Sequence, residues 1–379
     1  MSLSKAYQGC FIFFGDVRYD SRLQNILKSL SKKYQRLVLF QVSEASERFT
    51  FENCDVVSLA AKPSRRGSLK FAEFYNAVLP KVLGTKAAFY CAEDVYSLPV
   101  ASLAARLHGG RTIYDSREIF FALGSLAAKP LKQKIWQSLE SLFIRRATVF
   151  TSGELDSDLL ATHYAVPTPA TVYNFPALQT IASTNALREK LSLSDDRRLL
   201  LYQGVLMEGR GLFKMIEVME QSDEHYALVL IGDGPLFAEV KQRIERSSAR
   251  HRIFMLGRVP YAELLHLTAS ADVGLSLIEN ISKSYELALP NKIFEYAMCG
   301  VPGVVSDLPA MKKIVDAHHI GLAVSLGNTQ SIVHTIENVF ENHAVFKAAC
   351  GVARLRLNWE HQESVLLSLF EPASNPSNT

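Results

Sequence analysis

No run of apolar residues in this 379-residue chain approaches the roughly 18–20 needed to span a bilayer, so any membrane contact is expected to be peripheral. The N-terminal stretch has no basic segment leading into a long apolar one and a cleavage site, which predicts that the chain is not exported. The five cysteines, Cys10, Cys54, Cys91, Cys299 and Cys350, are scattered, odd in number and form no CxxC pair. That argues against a disulfide framework and a zinc site, and predicts a reducing, cytoplasmic setting. The formal net charge of +3 is too small to point to nucleic acid. Neither Walker spacing nor GxGxxG occurs, which counts against an ATPase or a dinucleotide-dependent enzyme.

What is present is an ordinary globular balance, 48% apolar and 21% charged residues, over a length that suits two domains. Short apolar runs alternate with helical patterns. Residues 10–14, 37–41, 87–91, 112–114 and 147–151 read as buried strands in the first half. Residues 199–203, 227–231, 253–256, 273–277 and 301–306 read so in the second. Helical periodicity fills 21–33, 98–107, 212–221 and 236–247. This alternation predicts an α/β chain with two doubly wound parallel sheets. The prolines at 167, 169 and 176 favour extended chain, placing the boundary near 174–185. We therefore expect a first domain over 1–178, rejoined by a C-terminal helix at about 356–371, and a second over 179–355. Residues 372–379, rich in Pro, Ser and Asn, read as a frayed tail.

Open parallel sheets bind ligands beyond the carboxyl ends of their strands, so residues just after the strands carry the functional reading. In Leu289–Gly300, Pro290 suits the first turn of a helix and Gly300 its end. Lys292 and Glu295 then share a face near its N-terminus, where free amides and positive potential suit phosphate. Lys292 adds a full charge, Asn291 sits beside it, and Glu295 is placed to accept from two ribose hydroxyls. The bland reading, a surface Lys–Glu pair, is about as good for this helix alone.

Further signals adjoin it. Tyr202-Gln203-Gly204-Val205-Leu206-Met207-Glu208-Gly209-Arg210-Gly211 follows the first strand of the second domain and leads into a helix, with Arg210 able to fork onto phosphate oxygens. Gly232-Asp233-Gly234-Pro235 is a sharp turn expected to shape a nucleotide pocket. Backbone atoms around Val259, in Gly257–Pro260, are placed to read a base edge. In the first half, Asp115, Arg117 and Glu118 follow one strand, Glu93-Asp94 another, and Gly15-Asp16 a third. The charged trio is expected to position an acceptor hydroxyl or the donor sugar, and Gly15 to approach a diphosphate. Over 129–146 basic residues interleave with Trp136, Leu139, Leu142 and Phe143, which reads either as a core-facing amphipathic helix or as a membrane-surface contact.

Taken together, these residues resemble the group 1, or family 4, glycosyltransferases of GT-B fold. The order Gly204…Arg210-Gly211, Gly232-Asp233-Gly234-Pro235, Gly257, Ala271-Asp272-Val273 and Glu295–Pro302 carries the resemblance in the second half. Tyr114–Glu118, Asn174-Phe175-Pro176 and Asn358-Trp359-Glu360 carry it more loosely elsewhere. The resemblance implies two Rossmann-like domains facing across a cleft, with a nucleotide diphosphate-sugar held mostly by the second. It implies Arg210 and Lys292 on the diphosphate, Glu295 on the ribose, transfer with retention, no required metal or other cofactor, and no nucleic acid partner. The acceptor would be a glycan or a lipid-linked molecule in envelope or exopolysaccharide synthesis, handled in the cytoplasm at the inner face of the membrane. Three positions depart from the pattern. Leu287 stands where many members carry a second glutamate, with Glu286 one residue out of register. Arg117 replaces a histidine, and a diglycine is reduced to Gly15. The competing functional readings are a GT-B nucleotide-sugar 2-epimerase and a catalytically silent nucleotide-sugar-binding partner.

Overall fold

A computed structural model describes residues 6–43, 46–60, 69–123 and 129–371. The expected tail at 372–379 lies outside the described residues. The chain divides into two compact units, Met1–Asn174 with Gln362–Thr379, and Phe175–His361.

The first unit is built on eight strands: β1 (Tyr7–Phe13), β2 (Leu37–Ser43), β3 (Glu47–Phe51), β4 (Cys54–Ala60), β5 (Ala87–Glu93), β6 (Arg111–Ser116), β7 (Ala147–Thr151) and β8 (Ala170–Thr171). Their order is β3-β4-β2-β1-β5-β6-β7-β8, and every pairing is parallel except β3 against β4. Strands β3, β4 and β8 escaped the sequence reading for a physical reason. β4 alternates buried and exposed residues, β3 is a partly exposed edge and β8 is two residues long, so none is a continuous apolar run. The long helices pack on this sheet, and their apolar stripes meet β1 and β5 in one core that includes Ile12, Phe40, Phe74, Tyr90, Leu98 and Trp136.

The second unit has six strands: β9 (Arg198–Gln203), β10 (Tyr226–Ile231), β11 (Ile253–Gly257), β12 (Val273–Ser276), β13 (Gly303–Ser306) and β14 (Gly321–Val324). The order β11-β10-β9-β12-β13-β14 is all parallel and is the 3-2-1-4-5-6 arrangement of the Rossmann fold. Both faces are apolar. Leu200, Tyr202, Leu228 and Leu230 enter one core, while Leu199, Leu201, Ala227 and Val229 enter the other. Helix Leu212–Gln221 agrees with its predicted limits; the final helix, Trp359–Phe370, opens in the second unit and continues into the first. Its far end is anchored there by Phe370, which packs against Phe11 and Phe89 and accepts the Tyr34 hydroxyl at 2.8 Å.

Candidate active site

The strand order of the second sheet reverses between β9 and β12, and in such sheets the crevice at that point binds ligands. Two loops leave the sheet there, one after β9 and one after β12, and they are locked together by close backbone approach. At Gly211, φ is +67° and a Cβ would lie 2.0 Å from the Leu277 carbonyl oxygen, so only glycine fits. At Gly232, φ is +147° and a Cβ would lie 1.9 Å from the Gly204 oxygen, which ties the turn after β10 to the β9 loop. Gly234 sits beside Leu206 in the same way, and the Glu279 amide donates to the Gly209 carbonyl at 2.9 Å. Tyr285 completes the wall: its hydroxyl donates to the Glu208 carbonyl at 2.9 Å, and its ring carries the Arg210 guanidinium 5.3 Å from the centroid. Arg210 is thereby placed by a ring and a glycine loop, with no carboxylate in a salt bridge to it among the described residues.

Helix Lys292–Met298 enters the same region. Asn291, at the N-cap position, already has helical dihedrals and makes no side-chain cap, and the Pro290 carbonyl before it accepts the Ile293 amide at 3.2 Å, so the proline stands at the turn that opens the helix. The helix is buried along its whole length, which excludes the surface Lys–Glu pair: Lys292 is 7% exposed and Glu295 8%. The Lys292 ammonium lies 3.7 Å from the centre of the Tyr202 ring, a cation–π contact of the desolvated kind, worth roughly 2 kcal/mol. It forms no salt bridge among the described residues. Burial first, and Arg210 second, push its pKa well below the ordinary lysine value, with Glu295 opposing.

Glu295 is held differently. Gln203, the last residue of β9, donates from Nε2 to Glu295 Oε2 at 2.5 Å, and its own Oε1 accepts from the Thr268 hydroxyl at 2.7 Å. Burial raises the Glu295 pKa, while Gln203, Lys292 and Tyr261 draw it back. The Thr268–Gln203–Glu295 chain fixes the carboxylate orientation. Thr268 and Tyr285 were not singled out from sequence, and Tyr202 and Gln203 opened the glycine-rich segment without a role of their own, because separate elements have to meet before these roles are visible. Near the turn after β11, Val259 is partly buried and packs against the core. Leu287 is buried at 9% exposure, and Glu286 binds Lys283 at 2.8 Å, so the out-of-register carboxylate is engaged in a local surface pair.

The lysine makes a prediction. An anionic diphosphate beside Lys292 would restore its charge, so donor binding takes up a proton between the depressed pKa and the ordinary value of about 10.4. Calorimetric titration in buffers of different ionisation enthalpy, from about pH 7 to about pH 10, should show this uptake, and Lys292→Met should lose it. A buffer-independent heat throughout would contradict the placement.

In the first unit the expected trio divides. Asp115 has no exposed surface; Arg22 grips it with two bonds, 2.7 and 2.8 Å, and also donates to the Val172 carbonyl at 2.7 Å. Arg117 spans three carboxylates, Asp20 at 2.6 Å, Glu93 at 2.5 Å and Asp115 at 3.2 Å, and stacks over Phe13 at 5.2 Å. Asp115 is thus corrected from a ligand-facing group to a buried anchor. Arg117 is corrected to the cation that neutralises a carboxylate cluster. Glu118 is exposed. Gly15 follows β1, with the Phe13 ring 2.6 Å from where a Cβ would stand. Among the described residues no group of three His, Cys, Asp or Glu side chains is arranged to hold a metal ion, and no helix is long and apolar enough to cross a membrane.

The fold, two Rossmann-like units, is that of the GT-B glycosyltransferases. Residues 183–351, within the second unit, match the family model described as glycosyl transferases group 1. Among curated proteins it is similar to N-acetyl-alpha-D-glucosaminyl L-malate synthase of Bacillus anthracis, 21% identical over 206 residues, 53% of this chain and 52% of that protein. It is also similar to chitobiosyldiphosphodolichol beta-mannosyltransferase of Yarrowia lipolytica, 27% identical over 106 residues, 27% of this chain and 22% of that one. The matched stretches span 22% to 52% of these relatives' lengths. Among solved structures, Anabaena Alr3699/HepE in complex with UDP aligns with a TM-score of 0.72 at 17% identity over 95% of this chain and 98% of that one. Sucrose-phosphate synthase from Thermosynechococcus elongatus aligns with a TM-score of 0.78 at 15% identity over 96% and 98%.

Proposed function

We propose that the protein is a retaining glycosyltransferase that moves a sugar from a nucleotide diphosphate-sugar to a glycan or lipid-linked acceptor. The observation that carries this reading is the pair of cations, Lys292 and Arg210, held by aromatic rings and a glycine loop with no salt-bridge partner among the described residues. Unpaired buried charge is costly, and an anion that completes the site offsets the cost. A diphosphate fits two adjacent cations, and the orientation of Glu295 by Gln203 suits a carboxylate that accepts from ribose hydroxyls. The relatives' names support the class: one structural neighbour was solved with UDP, and one curated relative acts on a diphosphodolichol-linked sugar.

In the reaction, the bond from the anomeric carbon to the diphosphate oxygen breaks, and negative charge grows on the leaving phosphate. Arg210 and Lys292 stabilise that charge in a preorganised, poorly solvated setting, which is the largest catalytic contribution available here. With Leu287 in place of a carboxylate, the leaving phosphate itself is the base that takes the acceptor proton, consistent with attack on the same face and retention. No metal enters this scheme. Envelope or exopolysaccharide synthesis at the inner face of the cytoplasmic membrane is the setting we assign. A thermal-shift panel of UDP-, GDP-, ADP- and TDP-sugars tests the reading. One donor at 100 times its dissociation constant should stabilise the protein by about 2.7 kcal/mol. No shift with any of them would overturn it.

A further inference from the structure

The first sheet reverses its strand order between β1 and β5, and a cavity of about 920 Å³ opens there, wholly within the first unit. We propose that it seats the reacting sugar of an acceptor joined through phosphate to a membrane lipid; the inference rests on the transfer reading above and names its acceptor class.

The side chains change character in order from the buried floor to the exposed surface. At the floor is Asp94, on the loop after β5 and 6% exposed. Its Oδ1 takes the Val95 amide at 3.0 Å, and no hydrogen bond engages Oδ2 among the described residues. Its φ of +88° is costly for any residue but glycine, and such strain persists where the surroundings hold a side chain for use. Burial and the neighbouring Glu118 raise its pKa well above the ordinary aspartate value. The Tyr75 hydroxyl, also on the wall, is buried with no partner among the described residues. These are groups for sugar hydroxyls. Around them Phe71, Tyr96, Phe120 and Trp136 supply rings for the apolar faces of a sugar.

At the rim stand Lys70, Lys129 and Lys132, all exposed and none in a salt bridge among the described residues. Three ammonium groups at one mouth suit a phosphate. From the mouth outward, helix Pro130–Ile144 turns Trp136 inward and leaves Leu131 74%, Ile135, itself at the cavity mouth, 50%, and Leu142 68% exposed. Positions 131, 135 and 142 fall on one side of a 3.6-residue helix, flanked by Lys132 and Lys134. An apolar stripe bordered by cations lies on anionic membranes. A free sugar phosphate would use the lysines and leave that stripe in water, whereas hydroxyl, sugar, phosphate and lipid in sequence account for all four layers.

The test uses the full chain and the emission of Trp136, the second tryptophan, Trp359, being buried in the other unit as a constant background. Farnesyl phosphate, titrated below micelle formation, should shift that emission saturably. It should bind at least about tenfold more tightly than farnesol or inorganic phosphate, about 1.4 kcal/mol. Lys129→Glu with Lys132→Glu, both at exposed sites, should erase the preference over farnesol. Phosphatidylglycerol vesicles should bind without moving Trp136 emission. Equal binding of farnesol, equal binding of inorganic phosphate, an unaffected double variant, or vesicles that reproduce the shift would each overturn the inference. A donor thermal shift on the same sample separates the two levels: if it survives while farnesyl phosphate fails, only the acceptor class falls.

Discussion

Lys292→Met should weaken donor binding by one to two orders of magnitude while leaving the free protein as stable as before, or more so. The methionine keeps the apolar stem beside Tyr202 and removes a cation whose pKa is depressed by burial and by Arg210. The sign follows from linkage. A lysine with a lowered folded-state pKa costs stability below that pKa, and the cost fades as pH rises toward the unfolded value. The variant's advantage in the free state should therefore be greatest at neutral pH and shrink in alkali. Binding moves the other way. A charge-assisted contact is worth about 1.5–3 kcal/mol, so affinity falls by roughly 10–150-fold. A donor present at 100 times the original dissociation constant then stabilises by only about 0.4 kcal/mol if affinity drops 100-fold. Glu295→Ala should also lose the donor shift but weaken the free protein by about 1–3 kcal/mol, because the Gln203 amide is left buried without an acceptor. Thermal melts of both variants with and without donor read all four values; a donor shift kept by both would misplace the site.

Arg117→Leu is expected to be the most damaging change in the first unit. Asp20, Glu93 and Asp115 all lean on this guanidinium, and Glu93 and Asp115 have no exposed surface. Removing one partner from a buried ion cluster costs about 3–5 kcal/mol, since the remaining charges stay desolvated. For a unit of this size that lowers the melting midpoint by roughly 10 °C. Glu93→Gln in the same chain should recover part of the loss, because it removes the carboxylate that burial already pushes up to about 7. The donor shift should survive in both variants, as Lys292 and Arg210 lie in the other unit. An unchanged melt for Arg117→Leu would show that the cluster is solvated enough to do without it.

The sequence was most legible where one physical signal dominated. β1, β2, β5, β9 and β10 are runs of buried apolar residues, and each was anticipated within a few residues. β4 was missed because its faces differ, and β14 because it is a short, partly exposed edge strand, unlike the fully buried β12 and β13 of the same length. The glycine turns at 211 and 232 were visible as turns, but the carbonyl oxygens that demand them belong to Leu277 and Gly204, neither of which the local sequence points to. The spacing of Lys292 and Glu295 gave their shared helix, not their burial, which depends on β9 and on Tyr202. Asp115 and Arg117 show the converse limit. A charged trio after a strand looks like a ligand site until Arg22, 93 residues away, is found in contact with one member.

The return of the last helix to the first unit has a consequence for biosynthesis. Phe370 packs with Phe11, Phe89 and Phe150, yet all of residues 175–361 are made in between. At translation rates of about 5–20 residues per second, the nascent first unit waits roughly 10–40 s with an unfilled aromatic core. The second unit, continuous in sequence, can close first, so the order in which the two become native is set by the route of the chain and not by which is made first.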